Sequence, residues 1–287
     1  MIIWLASYPK SGNTYVRAFL SAYYYSENGE FDFSLLSKIK QFPDKEFFDK
    51  KIESIEQASF EWVNAQRKIN ENKKIKFFKT HSCLGTYKDR PFTTSDLTLG
   101  SIYIARDPRN VFSSLKNHFS MNDDEAMEMI LDEKRGLISD TGVYSSYSFI
   151  SSWSNHFTSW VKSNQFRRLI IKYEDLITNK YETFRDIVVF TNTLLNRVDG
   201  VNKKKLLRAI ETTNFNILKN LELKNGLDKS VTSFKRWRNV HKENKNLFFN
   251  LGPDNDWKKS LNNKTIDKIE KNFFREMKEL NYLGSSD

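Results

Sequence analysis

The stretch that most constrains this chain is residues 2–15, Ile-Ile-Trp-Leu-Ala-Ser-Tyr-Pro-Lys-Ser-Gly-Asn-Thr-Tyr. Residues 2–6 carry no charge, which suits a strand buried on both faces of a parallel sheet. Tyr8 precedes Pro9, and a residue in that position is pushed to extended geometry, so the strand cannot run on as helix. Gly12 lets the backbone approach a ligand closely. Residues 13–20 then read as a helix. The free N–H groups of the turn and the positive end of the helix aim at one point, where Lys10 adds a full charge. That combination is an anion site, suited to phosphate or sulfate. It is not the nucleotide loop in which Gly, four residues and then Gly-Lys-Ser/Thr cradle phosphates, because Lys10 precedes Gly12 here.

The remaining chain supports an enzyme-sized α/β fold. With 287 residues, 39% hydrophobic and 23 Phe, it can bury a sizeable core, and a single domain over residues 1–287 is expected. No run approaches eighteen apolar residues, so no transmembrane helix is expected, and no secretory leader is read before the first strand. Cys83 is the only cysteine, which excludes intramolecular disulfides and Cys-rich metal sites and suggests a reducing, cytoplasmic setting. The net charge of +10 is compatible with nucleic acid, a membrane surface or an anionic small ligand. Much of it is spread along helical stretches as solvated faces.

Taken in order, residues 13–25 form an aromatic-rich helix and residues 31–60 short helices with Phe31, Phe33, Phe42, Phe47 and Phe48. Residues 53–70 form a longer helix. Residues 74–81, 98–105 and 168–173 read as strands. Asp107 and Pro108 are a good cap and first residue for the helix after the second of these. Residues 122–137, acidic and Met-rich, read as an exposed amphipathic helix that could act as a lid. Residues 148–163 show helical spacing of Phe149, Trp153, Phe157 and Trp160. Helices at 181–193 and 203–212 follow, then a basic loop over 222–247. Ile266, Ile269, Phe273, Met277 and Leu280 mark a terminal amphipathic helix. Strands alternating with helices imply right-handed crossovers and a parallel sheet.

Polar clusters stand at the ends of these strands: residues 8–14, Lys79-Thr80-His81, Arg106 with Ser114, and Tyr173. In an open parallel sheet ligands bind beyond the carboxyl ends of the strands, so the clusters should converge. Together they resemble the family of sulfotransferases that use 3′-phosphoadenosine 5′-phosphosulfate (PAPS). Many members carry Tyr-Pro-Lys-Ser-Gly-Thr-Thr-Trp where this chain has residues 8–15. The Lys-Thr-His strand end, the strand–Arg segment with a Ser eight residues on (Arg106, Ser114), Tyr173-Glu174-Asp175-Leu176 and Asp256-Trp257-Lys258 complete the resemblance, which spans residues 2–258. It implies a P-loop-like three-layer α/β fold, a central parallel β-sheet flanked by helices.

The resemblance also implies roles. Lys10 would face the oxygen bridging sulfur and phosphorus, and Lys79 would assist the transferring group. Ser11, Gly12, Asn13 and Thr14 would bind the 5′-phosphate, and Tyr15, in place of Trp, would stack on adenine. Arg106 and Ser114 would hold the 3′-phosphate, Tyr173 would contact the nucleotide, and Thr213 and Phe215 lie in a looser adenine-contacting match. His81 is the expected base, because an imidazole with an unperturbed pKa of about 6.5 is mostly neutral at pH 7. His118, His156 and His241 are read as structural. The product would be adenosine 3′,5′-bisphosphate (PAP), with no metal. One departure stands out: where many members have Arg-Lys-Gly, this chain has Asn250-Leu251-Gly252. Gly252 still fits, and Lys235, Arg236 or Arg238 could supply the charge.

Other readings compete. A P-loop-type small-molecule kinase or NTPase shares the strand–loop–helix site but needs Mg²⁺. A non-enzymatic basic anion- or nucleic-acid-binding protein fits the charge, although no nucleic-acid motif appears. Within the enzyme class, Glu27 or Glu30 could replace His81 as base. The acceptor, a small molecule or a glycan or glycolipid, is expected between residues 23–48 and 122–137. Oligomeric state is open.

Overall fold

A computed structural model describes residues 1–48, 50–140, 145–225 and 247–284. Its centre is strand β1 (Ile2–Ser7), which pairs in parallel with β3 (Lys76–Thr80) on one side and β6 (Thr98–Ala105) on the other. A two-residue edge strand, β2 (Lys40–Gln41), and β9 (Arg167–Lys172) extend the sheet to the order β2-β3-β1-β6-β9, all parallel. Two short antiparallel hairpins stand apart: β4 (Thr86–Tyr87) with β5 (Arg90–Pro91), and β7 (Gly136–Asp140) with β8 (Ser145–Phe149).

The period of two along β1 explains why it is apolar throughout. Ile2, Trp4 and Ala6 enter one core with Phe42, Trp62, Phe92 and Trp160, whereas Ile3 and Leu5 enter the other with Phe19, Phe184 and Ile187. Helices cover both faces. Helix α1 (Asn13–Tyr25) and α2 (Ile55–Asn70) precede the β6 crossover. Helix α3 (Pro108–Phe119) starts on Asp107, whose carboxylate accepts from the Arg109 N–H. After it come α4 (Asp123–Leu131), α5 (Trp153–Val161), α6 (Tyr173–Thr178), α7 (Lys180–Leu194), α8 (Lys203–Thr212) and α9 (Phe215–Asn225). The C-terminal part holds α10 (Trp257–Ser260), α11 (Asn263–Asn272) and α12 (Phe274–Glu279).

Several sequence expectations change. The helix expected over 122–137 stops at Leu131, and Gly136 begins a strand against β8. A Cβ at Gly136 would lie 2.0 Å from the Tyr147 ring, so the bare backbone is what lets this hairpin close. Helix α4 is also not an exposed lid, because Ala126, Met127, Met129 and Ile130 are buried in the core. The helix expected from 148 starts only at Trp153, capped by the Ser152 hydroxyl, which accepts from the Asn155 N–H. The basic loop expected over 222–247 begins as the last turn of α9. Lys235, Arg236, Arg238 and His241 lie outside the described residues. The terminal helix divides at Phe273.

Candidate active site

The chain leaves β1 toward β3 and leaves β6 toward β9, so the carboxyl ends of β1 and β6 form the point where connections diverge. A cavity of about 220 Å³ opens there. Beyond β1, Lys10 has φ 69° and Gly12 has φ 92°, two left-handed residues around Ser11 that curl the turn into a concave nest of N–H groups. Gly12 also allows a close approach: a Cβ there would lie 2.4 Å from the Tyr173 ring. No side chain caps α1, which leaves its first N–H groups directed at the turn.

The Asn13 side chain braces this turn from within. Its amide donates to the Leu5 carbonyl and to the Ser7 hydroxyl, both at 3.1 Å. The amide expected to bind phosphate is therefore already engaged, and the backbone N–H is what Asn13 can offer. Ser11 is buried, outside the cavity lining, and its hydroxyl has no partner among the described residues. Tyr15 reaches the cavity edge-on to Phe184, with ring centroids 5.3 Å apart.

Arg106, at the end of β6, donates to the Lys10 carbonyl at 2.7 Å and stacks over the Tyr173 ring at 4.2 Å. Its Nε has no partner among the described residues. The peptide after it is fixed by Glu174, whose carboxylate accepts from the Asp107 N–H and from the Tyr282 hydroxyl. Arg109 in turn pairs with Asp107 and Glu270 and lies 3.8 Å from the Trp257 ring, which docks the Asp256-Trp257-Lys258 segment on α3. Asn255 lines the cavity and accepts from Ser113. Ser114 lines it from α3, and Phe215 and Gly252 line it together. Gly252 has φ 53°, and a Cβ there would lie 2.2 Å from the Phe215 ring.

His81 stands at the end of β3. Its Nδ1 lies 2.8 Å from the Ser7 carbonyl oxygen, which can only accept. The neutral ring therefore carries its proton on Nδ1 and leaves the Nε2 lone pair available. Burial, and then the Lys79 ammonium, hold the imidazole well below its ordinary 6.5. His156 supports it from below: its Nε2 donates to the His81 carbonyl, so its Nδ1 accepts from the Tyr103 hydroxyl. Burial lowers the His156 pKa to about 3, in keeping with its structural reading. Lys79 is buried and donates to Gln41 on the edge strand at 3.2 Å. The Lys10 ammonium is pulled down to about 7 by burial and then by the Arg106 guanidinium.

The structure thus gathers Lys10, Lys79, His81, Arg106, Ser114 and Tyr173 around one cavity, with no Asp or Glu among its described lining residues. Thr213 is not among them: it is buried, and its hydroxyl donates to the Ala209 carbonyl. The aromatic residues of 23–48 pack into the two cores apart from the exposed Tyr25, and of that stretch only Gln41 reaches the cavity among the described residues. From 122–137 only Leu137 does. Glu30 faces Arg208 at the surface, and neither it nor Glu27 lines the cavity. Sequence reasoning missed His118, read as structural. It lines the cavity, and its Nδ1 is 3.0 Å from Lys10 Nζ.

The sulfotransferase domain family model matches residues 2–281. This chain belongs to that family. It is 25% identical over 281 residues to a flavonol 3-sulfotransferase from Flaveria bidentis, covering 94% of this chain and 79% of the relative. Among solved structures, retinol dehydratase in complex with androsterone and the inactive cofactor PAP superposes with a TM-score of 0.56 at 17% identity. The match covers 96% of this chain and 80% of that one. A second retinol dehydratase complex, with retinol and PAP, gives the same TM-score at 16% identity, over 96% of this chain and 81% of that one. These likenesses agree with the parallel α/β sheet and the P-loop-like architecture described above.

Proposed function

We propose that this chain transfers a sulfuryl group from PAPS to a hydroxyl or amine acceptor by in-line displacement, with His81 as the general base. The observation that carries the reading is the 2.8 Å contact between His81 Nδ1 and the Ser7 carbonyl at the cavity wall. A carbonyl can only accept, so it supports a neutral ring with the proton on Nδ1 and the Nε2 lone pair available to take a proton.

The residues present fit a nucleotide phosphosulfate. The buried Arg106 has an Nε free of partners among the described residues, and Gly12 keeps the turn open where any side chain would strike Tyr173. The N–H groups of Gly12, Asn13 and Thr14 would hold the 5′-phosphate. Arg106 and Ser114 would take the 3′-phosphate, a bidentate geometry that guanidinium suits. Tyr15, Phe215 and Tyr173 would border the nucleoside. Gly252 and the Asn250-Leu251 backbone would close that end. The bound donor supplies an activated sulfuryl group. Lys10 and Lys79 would stabilise charge on the leaving and transferring oxygens, and His81 takes the acceptor proton at Nε2. Catalysis here is positioning and preorganised charge, with no covalent enzyme intermediate.

The acceptor would lie toward Phe119, Leu137 and Phe248, with Gln41 and Ser148 as polar points of the same cavity wall. That mixture favours a compact, largely apolar alcohol over a polyanion. A glycan or glycolipid hydroxyl entering from solvent remains within the same chemistry. The deciding experiment incubates the protein with labelled PAPS and a panel of sterol, phenol, retinoid and sugar acceptors. Transfer that is lost in His81→Ala supports the reading. Full transfer in His81→Ala removes the base assignment, and absence of PAP binding by calorimetry removes the donor.

A further inference from the structure

Helix α3 presents Ser114 and His118 one turn apart, so both side chains reach the same cavity. The His118 ring is wedged edge-on between Phe119 and Phe248, with centroids 4.7 and 6.1 Å away. Lys10 Nζ lies 3.0 Å from His118 Nδ1 and 5.3 Å from the centre of the Phe248 ring. The ammonium is therefore held between an imidazole nitrogen and an aromatic face, although its backbone belongs to the turn after β1.

We propose that His118 is a positioning residue for Lys10: its Nδ1 accepts a hydrogen bond from the Lys10 ammonium and keeps that group charged and aimed into the cavity. The proposal deepens the sulfotransferase reading and rests on it for the role of Lys10 in catalysis. The need for such a partner follows from the surroundings. Lys10 shares its cavity wall with Arg106 from the end of β6, Lys79 and His81 from the end of β3, Tyr15 from α1 and Tyr173 from α6, and no Asp or Glu is among the described lining residues. On α3 itself, Lys116 is paired with Asp123 at the start of α4. Glu222 of α9 spends its carboxylate on the N–H groups of Phe248 and Phe249 and so fixes the aromatic wall rather than Lys10. Burial and Arg106 both disfavour the charged amine. A neutral imidazole nitrogen supplies an acceptor without adding a negative charge that would repel a phosphosulfate.

The test follows lysine side chains labelled with ¹³C at Cε through pH in the ligand-free protein, with the Lys10 signal assigned by its loss in Lys10→Arg. The wild-type signal is expected to titrate well below the ordinary 10.5, at about 7. His118→Phe keeps the ring packing and removes the acceptor. Since a hydrogen bond to a charged group supports roughly one pKa unit, the Lys10 midpoint falls by about one unit in that variant. His118→Gln restores an acceptor oxygen and brings the midpoint back toward wild type. A Lys10 midpoint in His118→Phe equal to wild type overturns the proposal, as does His118→Gln falling as far as His118→Phe. Addition of PAP to the wild type raises the Lys10 midpoint if the nucleotide site is where the cavity lies. If PAP moves no lysine signal, the donor reading fails, while the His118 contact is still judged by the ligand-free titrations alone.

Discussion

Gly12→Ala probes the joint where backbone, ring and guanidinium meet. The residue has φ 92°, where a Cβ is strained in any surroundings, and placing an L side chain in left-handed geometry costs about 1–2 kcal/mol. The new methyl would also lie 2.4 Å from Tyr173 Cδ2 and 2.9 Å from Cε2, so the ring must move. Displacing a buried ring in a packed site costs roughly 1–3 kcal/mol more. The sum, about 2–5 kcal/mol, lowers Tm by roughly 4–10 °C in a chain of this size. The ring that moves is the one beneath Arg106 at 4.2 Å, so the guanidinium loses its stacking partner. A partly buried cation–π contact contributes about 1 kcal/mol, and PAP affinity should fall about five- to tenfold from that loss alone. The assays are thermal unfolding followed by circular dichroism and PAP titration by calorimetry on the same preparations. A Gly12→Ala protein that melts with the wild type and binds PAP equally well would refute the reasoning. It would mean that neither the left-handed turn nor the Tyr173 contact constrains the site.

His81→Ala should lower sulfuryl transfer by about 10²–10⁴-fold while PAP affinity, measured by calorimetry, stays near wild type. Between about pH 7 and its ordinary 10.5, Lys10 binds a proton in the unfolded chain that it does not bind in the folded one. It therefore makes stability rise with pH over that window, and Lys10→Met should flatten that part of a urea-denaturation series. His156 works in the same direction lower down. Its folded pKa of about 3 lies below 6.5, so stability is lost as pH falls from 6.5 toward 3. Replacing it with Gln should reduce the acid sensitivity seen in the same series. Arg109→Met leaves Asp107 buried without its partner and should cost about 3–5 kcal/mol by chemical denaturation.

The parts of this site that were legible in the sequence are those fixed by local chemistry. An uncharged run, a proline and a glycine define the first strand and turn whatever the rest of the chain does. Asp107-Pro108 likewise starts α3 with its own cap. The parts that were not legible depend on partners far along the chain. Gln41 sits on a strand only two residues long, whose extended form comes from pairing with Phe78 and Lys79. Gly136 continues an apparent helical pattern, and only the Tyr147 ring across the hairpin shows why it is strand. Ser114 and His118 are four residues apart, a spacing that was available as a signal. What made it informative was the approach of Lys10 and Phe248 to the same helix face. Thr213 shows the converse: its residue type suits a ligand contact, but its position at the C-cap of α8 commits the hydroxyl to the Ala209 carbonyl.

The sheet order also explains why this site concentrates positive charge. Neighbouring strands β3, β1 and β6 each end in a cation, Lys79, Lys10 and Arg106, and parallel pairing places all three at the same edge. Lys79 and Arg106 are buried there, at 4% and 5% exposure, and the Lys10 ammonium is disfavoured by burial. Like charges held together out of water are unfavourable, and the two cores on either face of the sheet supply the stability that tolerates them. An incoming dianion would relieve that repulsion, so on the proposed reading the same residues that make the ligand-free site costly would favour donor binding. In the transfer proposed above, charge developing on the leaving oxygen would fall in the field of groups already oriented by Ser7, Gln41 and the Lys10 carbonyl. Among the described residues these three orienting contacts run to two backbone carbonyls and a side-chain amide, acceptors that fix geometry without themselves adding the negative charge that a bound phosphosulfate would meet.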